Sequence, residues 1–335
     1  MNKKNQWLAP LALALSISAL LGSCASPAPT TSAESITIYS GRNEELISDL
    51  LTTFTEETGI EVQVRYGDSA ELAAQILEEG QNIRADVYFG QDAGALGALA
   101  KEGVTKTLPA DITDLVAAEY RSVDGQWVGV SGRGRVFVYD PAKVDKAPSS
   151  YKDLMDPGWK GRIGIAPTNA SFQAFVTAIR VLEGEQAATD FLAAMKENGV
   201  LFEKNSIIMQ AVQDGVVDAG LVNHYYWWEL AAEIGEENMI PKISWFDDGD
   251  TGNLINVAGV AVLSDNPSAM VFAKWLLGDT AQNYFVERTR EYSLTGVPEV
   301  AGLKPLKDIE APAIDLSDLD SLAETLELIR KAGLL

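Results

Sequence analysis

Three strand-helix units follow one another near the start of this chain, and that succession leaves few folds open. Residues 35–39 (Ser-Ile-Thr-Ile-Tyr) alternate polar and apolar side chains as a short strand does, and Leu46, Leu50, Leu51 and Phe54 then recur at helical spacing until Gly59. Residues 61–66 read as a second strand, with Leu72, Ile76 and Leu77 on the helix after it, and residues 86–89 and 93–101 repeat the pattern. Parallel strands need such a helical crossover, so three units in a row predict a mostly parallel sheet with helices on both faces.

The rhythm then changes. Residues 127–130 and 136–139 read as two strands broken by Ser131-Gly132-Arg133-Gly134-Arg135, a glycine-rich polar crossing. A strand at 163–166, helices after Ser171, at 186–198 and at 207–214, and a strand at 217–222 make a second α/β unit. An apolar strand at 255–263, helices at 267–277 and 280–287, and a last helix at 321–331 complete the chain. A sheet that is left at one strand pair and re-entered at another is the wiring of a two-lobed binding protein, and in open α/β sheets ligands sit beyond the carboxyl ends of strands. Asn43, Gln91, Asn169 and the pair Tyr225-Tyr226 all follow such strand ends.

The stretch Leu221-Val222-Asn223-His224-Tyr225-Tyr226-Trp227-Trp228 is odd chemistry for a strand end. At a strand-to-helix turn two successive side chains lean into one cleft, and two convergent phenols suit a hard cation once deprotonated. A free phenol has a pKa of about 10, so only a strong Lewis acid such as a trivalent metal displaces its proton at neutral pH. On this stretch alone, core packing accounts for the same aromatic cluster.

The chain opens Met1-Asn2-Lys3-Lys4, runs apolar from Trp7 to Leu21, and continues Gly22-Ser23-Cys24. A basic start, an apolar run too short for a comfortable membrane span and small residues before a cysteine read as a lipoprotein leader, with Cys24 lipid-modified as the first mature residue. Residues 27–33, rich in Pro, Thr, Ser and Ala, then form a tether. Cys24 is the only cysteine, so the body has neither a disulfide nor a thiol nucleophile. With 26 basic against 48 acidic residues the net charge is −22, which argues against nucleic acid and anionic lipid as partners. Membrane contact is then by the lipid anchor alone. The roughly 300 residues after the leader suit two domains.

Several blocks in this order resemble the bacterial ferric ion-binding proteins, the iron(III) solute-binding subunits of ABC importers. They are Ile38-Tyr39-Ser40-Gly41, Ala85-Asp86-Val87-Tyr88-Phe89, Ser131 to Arg135 with Val138-Tyr139-Asp140, Trp159-Lys160-Gly161-Arg162-Ile163-Gly164, Pro167-Thr168, Lys204-Asn205-Ser206, and Asn223 to Trp227. The resemblance covers nearly all of the chain after the tether. It implies a type II periplasmic-binding-protein fold: two lobes, each a mostly parallel sheet with helices on both faces, and the ligand cleft between them. The expected division is a signal peptide at 1–23, the tether at 24–34, lobe 1 at 35–131 plus 258–310, lobe 2 at 132–257 and a C-terminal helical segment at 311–335.

Carried over residue by residue, the resemblance makes Tyr225 and Tyr226 the phenolate ligands of Fe3+. The family's usual histidine and glutamate positions hold Asn43 and Gln91 here, weak or outer positions at best, with Glu44 and Asp92 as neighbouring acids. A synergistic anion (carbonate, phosphate or citrate) would fill the remaining places, held by Asn169, Ala170 and Ser171 at a helix start, by Asn205 and Asn223, and by Arg133 of the crossing. The resemblance further implies an exported monomer, facing outward or the periplasm, that delivers iron to a permease and its ATPase. Its lobes would close by a hinge near residues 131–135 and 252–257. His224 is read as solvated or packing, and Tyr39 and Tyr66 as core.

Two rivals remain open at this level. The same scaffold with Asn43 and Gln91 would suit an organic or anionic solute such as a phosphonate, thiamine or a polyamine, with Trp227 and Trp228 lining its pocket. An exported enzyme is disfavoured: the chain has no Gly-x-Ser-x-Gly elbow, no phosphate-cradling Gly-x-x-x-x-Gly-Lys and a single histidine.

Overall fold

Burial periodicity builds the first lobe. In the computed structural model, which describes residues 34–296 and 301–335, β1 (Ser35–Ser40) sends Ile36 and Ile38 into the core. The leader, Cys24 and almost all of the tether lie outside the described residues. Helix α1 (Glu44–Thr58) buries Ile47, Leu50, Leu51 and Phe54, one stripe at helical spacing, and stops at Gly59, whose φ of 73° no side-chain-bearing residue adopts cheaply. β2 (Glu61–Tyr66) and β3 (Val87–Gly90) pair in parallel with the two edges of β1. Asp68 and Asp92 cap α2 (Ser69–Glu79) and α3 (Ala93–Lys101) by accepting first-turn N–H groups, and a short α4 (Ala110–Thr113) follows. Phe54, fully buried against Phe272 and Trp275, contributes about 2–3 kcal/mol by leaving water.

The glycine-rich crossing does not break the next strand, contrary to the sequence expectation. β4 (Val128–Tyr139) runs through it unbroken, with a register shift at Gly129 to Ser131. Its glycines serve close approach: a Cβ on Gly134 would lie 2.1 Å from a Trp245 ring carbon. What changes along β4 is the partner. Residues 128–134 pair antiparallel with β9 (Ile255–Val262), whereas Arg135 to Tyr139 pair antiparallel with β7 (Ala219–Asn223).

The second lobe hangs on that far half. β5 (Ile163–Ile165) pairs in parallel with β7 and with β6 (Gly199–Leu201), and β8 (Lys242–Ser244) adds to the end of β4. Helices α5 (Ala170–Glu183) and α6 (Glu185–Asn198) cover one face; α7 (Asn205–Gln213) and α8 (Tyr226–Ile234) cover the other, so two apolar cores flank this sheet. The chain then returns through β9 to α9 (Pro267–Trp275), α10 (Asp279–Glu287) and β10 (Tyr292–Ser293), which pairs with Ser131 and Gly132. The sheet order is β2-β1-β3-β9-β4-β7-β5-β6.

The C-terminal segment crosses between the lobes a further time. Its turn at Leu316–Asp320 lies on α3, where Ser317 accepts from the Trp127 indole at 3.2 Å, while α11 (Leu322–Lys331) joins the second lobe's core through Leu328 and Ile329. The approach is so close that a Cβ on Gly97 would sit 2.4 Å from the Ser317 carbonyl oxygen. Backbone cannot yield as a side-chain tip can, so Gly97→Ala is expected to lower the unfolding free energy by about 1–3 kcal/mol in urea melts.

Candidate metal and anion site

β7 ends at Asn223 and α8 begins at Tyr226, so the intervening turn delivers two consecutive phenols to the carboxyl edge of the second sheet. Their hydroxyl oxygens lie 3.5 Å apart, and Asn223 donates to the Tyr225 oxygen at 3.2 Å. Burial, then the Tyr225 oxygen beside it, pushes the Tyr226 phenol far above its ordinary range. Tyr226 therefore reaches the phenolate form at neutral pH only if a cation takes the proton's place.

Four of the residues predicted around an anion, Asn223, Ser171, Asn169 and Asn205, form one chain of hydrogen bonds. Asn223 also donates to Ser171 Oγ at 2.9 Å; Asn169 caps α5 by accepting from the Ser171 N–H at 3.0 Å, and accepts from Asn205 Nδ2 at 3.1 Å. Ala170 opens the helix at the exposed first turn, where backbone N–H groups point outward. Asn205 Oδ1 is buried without a partner.

Arg133 and Arg135 sit on β4 where it changes partner, each 2% exposed. Arg135 is the register partner of Asn223 and donates once, to the Leu221 carbonyl at 2.9 Å. Burial lowers its pKa to about 10, against the pull of Tyr226 and Tyr225. The Nε and Nη1 groups of both arginines are buried and unpartnered. Unmade hydrogen bonds on buried cations are costly.

In the first lobe lie the two positions expected to be weak or outer ones. Asn43 is exposed at the start of α1 and makes no cap, and Gln91 spends its carbonyl oxygen on Arg42 Nη1 at 2.9 Å. Asp92 is committed to the α3 N-terminus; burial raises its pKa and Arg133 opposes the rise. Arg42, which sequence reasoning passed over, is fully buried and grips Glu291 bidentately at 2.8 and 2.7 Å, while Ser131 and Thr289 each donate to the same carboxylate at 3.0 Å. Burial works against both charges, yet each holds the other, so Glu291 stays below and Arg42 above its ordinary value. An arginine directly after the Ser-Gly turn of the first strand was the available signal for it.

His224 is neither solvated nor a simple filler. It is fully buried, accepts the Gly134 N–H at Nδ1 (3.1 Å) and meets the Arg290 carbonyl through Nε2 at 2.7 Å. Tyr39 is buried and Tyr66 partly so, as expected of core residues. The organic-pocket reading loses its aromatic wall, because the Trp227 indole donates to the Pro241 carbonyl at 2.7 Å and packs within the second lobe. Trp228 instead lines a cavity of about 400 Å³ with Glu45, Asp49 and Glu229, between α1 and α8. Among the described residues no three His, Cys, Asp or Glu side chains gather to hold a metal. Nor is any described helix long and apolar enough to cross a membrane.

Comparison with known proteins agrees with this architecture. The model of the bacterial extracellular solute-binding protein family matches residues 49–313. The Fe(3+)-binding periplasmic protein of Serratia marcescens is 36% identical over 90% of this chain and 91% of its own length; the major ferric iron-binding protein of Neisseria meningitidis is 34% identical over 92% and 95%. Among solved structures, iron-bound HitA from Pseudomonas aeruginosa matches with a TM-score of 0.83 and 34% identity, covering 90% of this chain and 99% of that one. The Trichodesmium protein (IdiA, FutA) in complex with iron and citrate ligands matches at 0.77 and 26%, over 89% and 99%. The chain belongs to the bacterial extracellular solute-binding proteins, within the ferric ion-binding family, and has their type II periplasmic-binding-protein fold.

Two stability outcomes follow from the buried charges. Glu291→Gln strands Arg42 and is expected to cost about 3–5 kcal/mol in urea melts, with Arg42→Met added to it restoring much of the loss. Burial, its largest influence, lowers the His224 pKa to about 4 from an ordinary 6.5. The unfolded chain therefore binds the extra proton first as pH falls. Stability present above pH 6.5 is lost on the way down to pH 4, by about 3 kcal/mol, and melts of His224→Gln, which carries no titrating group there, should lack that component.

Proposed function

We propose that this chain is the iron-capturing component of an ABC importer, exported and tethered to the membrane through lipid on Cys24, acting as a monomer. Tyr225 and Tyr226 bind Fe3+ as phenolates, and a synergistic anion completes the coordination. The observation that carries the reading is the pair of phenol oxygens 3.5 Å apart at a strand end, a gap one hard cation spans at roughly 2 Å from each. It is a carrier, with no chemistry performed on its cargo.

The anion follows from what the site lacks and what it has to spare. Gln91 and Asn43 offer no charge, and the Gln91 oxygen is already taken by Arg42. Two phenolates leave a ferric ion one positive charge in excess and most of its coordination places open. The unpartnered N–H groups of Arg133 and Arg135, with the α5 start at Asn169, Ala170 and Ser171 and the amides of Asn205 and Asn223, suit carbonate, phosphate or citrate.

Delivery to the permease, driven by its ATPase, requires a cleft that opens and shuts. The partner change on β4 and the segment 252–257 leading into β9 provide the hinge. Ligand touching both lobes only in the shut form shifts the population toward it.

The test is a titration of metal-stripped protein with ferric citrate, followed in the visible. A saturable phenolate-to-iron band is expected in the wild type, abolished or shifted in Tyr225→Phe and Tyr226→Phe, with affinity reduced roughly 100-fold or more. A protein that gains thermal stability with an organic solute while forming no band overturns the iron reading.

A further inference from the structure

A hydrogen bond from a buried histidine joins the phenol-bearing turn to the opposite lobe, and its chemistry is fixed. The Gly134 amide is a donor, so His224 Nδ1 must accept; Nε2 then carries the proton and donates to the Arg290 carbonyl at 2.7 Å. The turn is fastened from its other side too, since the His224 N–H donates to the Gly134 carbonyl at 3.1 Å. His224 is 0% exposed and its ring lies against Tyr225 and Tyr292.

Arg290, the acceptor, holds the left-handed backbone conformation at φ 57°, which no other non-glycine residue adopts among the described residues. A bulky side chain in that region is kept there only by surroundings that over-determine it. The next residue is Glu291, which clamps Arg42, and Arg42 in turn holds Gln91. A continuous series of contacts, buried at His224, Glu291 and Arg42 and reaching the surface at Arg290, thus runs from Tyr225 in one lobe, through those residues, to the first and third strand-end loops of the other.

We propose that His224 is a positioning residue of the iron site: its hydrogen bond to the Arg290 carbonyl sets the backbone that aims Glu291, and so couples the phenol turn of one lobe to the Arg42–Gln91 loops of the other. The coupling governs how long the cleft stays shut on its cargo. It rests on the carrier reading for that consequence, while the coupling itself is a property of the protein without ligand.

The test uses full-length protein and three variants. His224→Leu keeps the volume and removes both ring hydrogen bonds; His224→Gln keeps an acceptor and a donor; Arg290→Gly relieves the backbone conformation while leaving the carbonyl in place. In ligand-free protein, amide hydrogen exchange in His224→Leu is expected to rise about tenfold at residues 41–43 and at Gln91, which His224 does not touch, and not only at Gly134 and 288–292. His224→Gln should restore much of the protection, and Arg290→Gly should resemble the wild type at 41–43. With ferric citrate, His224→Leu should give the wild-type visible band at saturation but lose iron to a competing chelator about tenfold faster. Exchange confined to the immediate neighbours of His224, or wild-type release from the Leu variant, overturns the proposal. Loss of the band at saturation in the Leu variant alone also overturns it, because His224 would then act at the metal. Absence of any band in the wild type counts against the iron reading, and the exchange experiment still decides the coupling.

Discussion

A single strand that changes partners is the constraint from which the rest of this molecule follows. β4 pairs with β9 up to Gly134 and with β7 from Arg135 onward, so one backbone belongs to both sheets. Side chains on such a strand alternate faces, which puts Arg133 and Arg135 on the same side, about 7 Å apart, at the seam between the lobes. Neither arginine can retreat to solvent, because strand pairing fixes the backbone on both sides. Both guanidinium groups are near enough to interact electrostatically with Tyr226, just beyond β7.

Charge in the seam is balanced unevenly, and the imbalance separates structure from function. Arg42 and Glu291 form a bidentate, buried pair, with Ser131 and Thr289 completing the carboxylate's hydrogen bonds and only Arg42 Nε left without a partner. Such a pair adds little net stability over apolar residues of the same shape, but it is expensive to break, so it fixes where the first loop stands. Arg133 and Arg135 are left with donors unmade. The Arg42–Glu291 pair holds one loop in place, whereas Arg133 and Arg135 carry two unpartnered donor nitrogens each.

Much of the fold was legible because burial leaves a period in the sequence. The strand-helix succession of β1 to α3 is written in Ile36, Ile38, Leu50, Phe54 and Leu72, and the C-terminal helix in Leu328 and Ile329. The phenol pair was legible because aromatic residues directly after an apolar strand break the usual pattern. What misled was local composition: two glycines in five residues looked like a strand break, whereas Gly134 is there because the Trp245 ring occupies the place of a side chain. What was hidden were long-range pairings. Nothing near Arg42 announces Glu291, 249 residues away, and His224 looked like a spare histidine because its partners are a backbone N–H and a backbone carbonyl, which leave no mark on composition.

The molecule's overall charge and the charge of its cleft pull in opposite directions. A net −22 spread over the surface draws cations in and holds polyanions off, whereas Arg133 and Arg135 place two buried positive charges at the seam. Screening decides which effect a guest meets first. At physiological ionic strength charges are damped beyond about 8 Å, so the surface field acts on approach and the buried guanidinium groups only once the guest is inside. A small dianion crosses the outer field at modest cost, and an anion arriving on a cation crosses at less, because the complex carries a smaller net charge. On the proposed carrier reading, cargo in which metal and anion enter together would therefore meet the least opposition from the outer field.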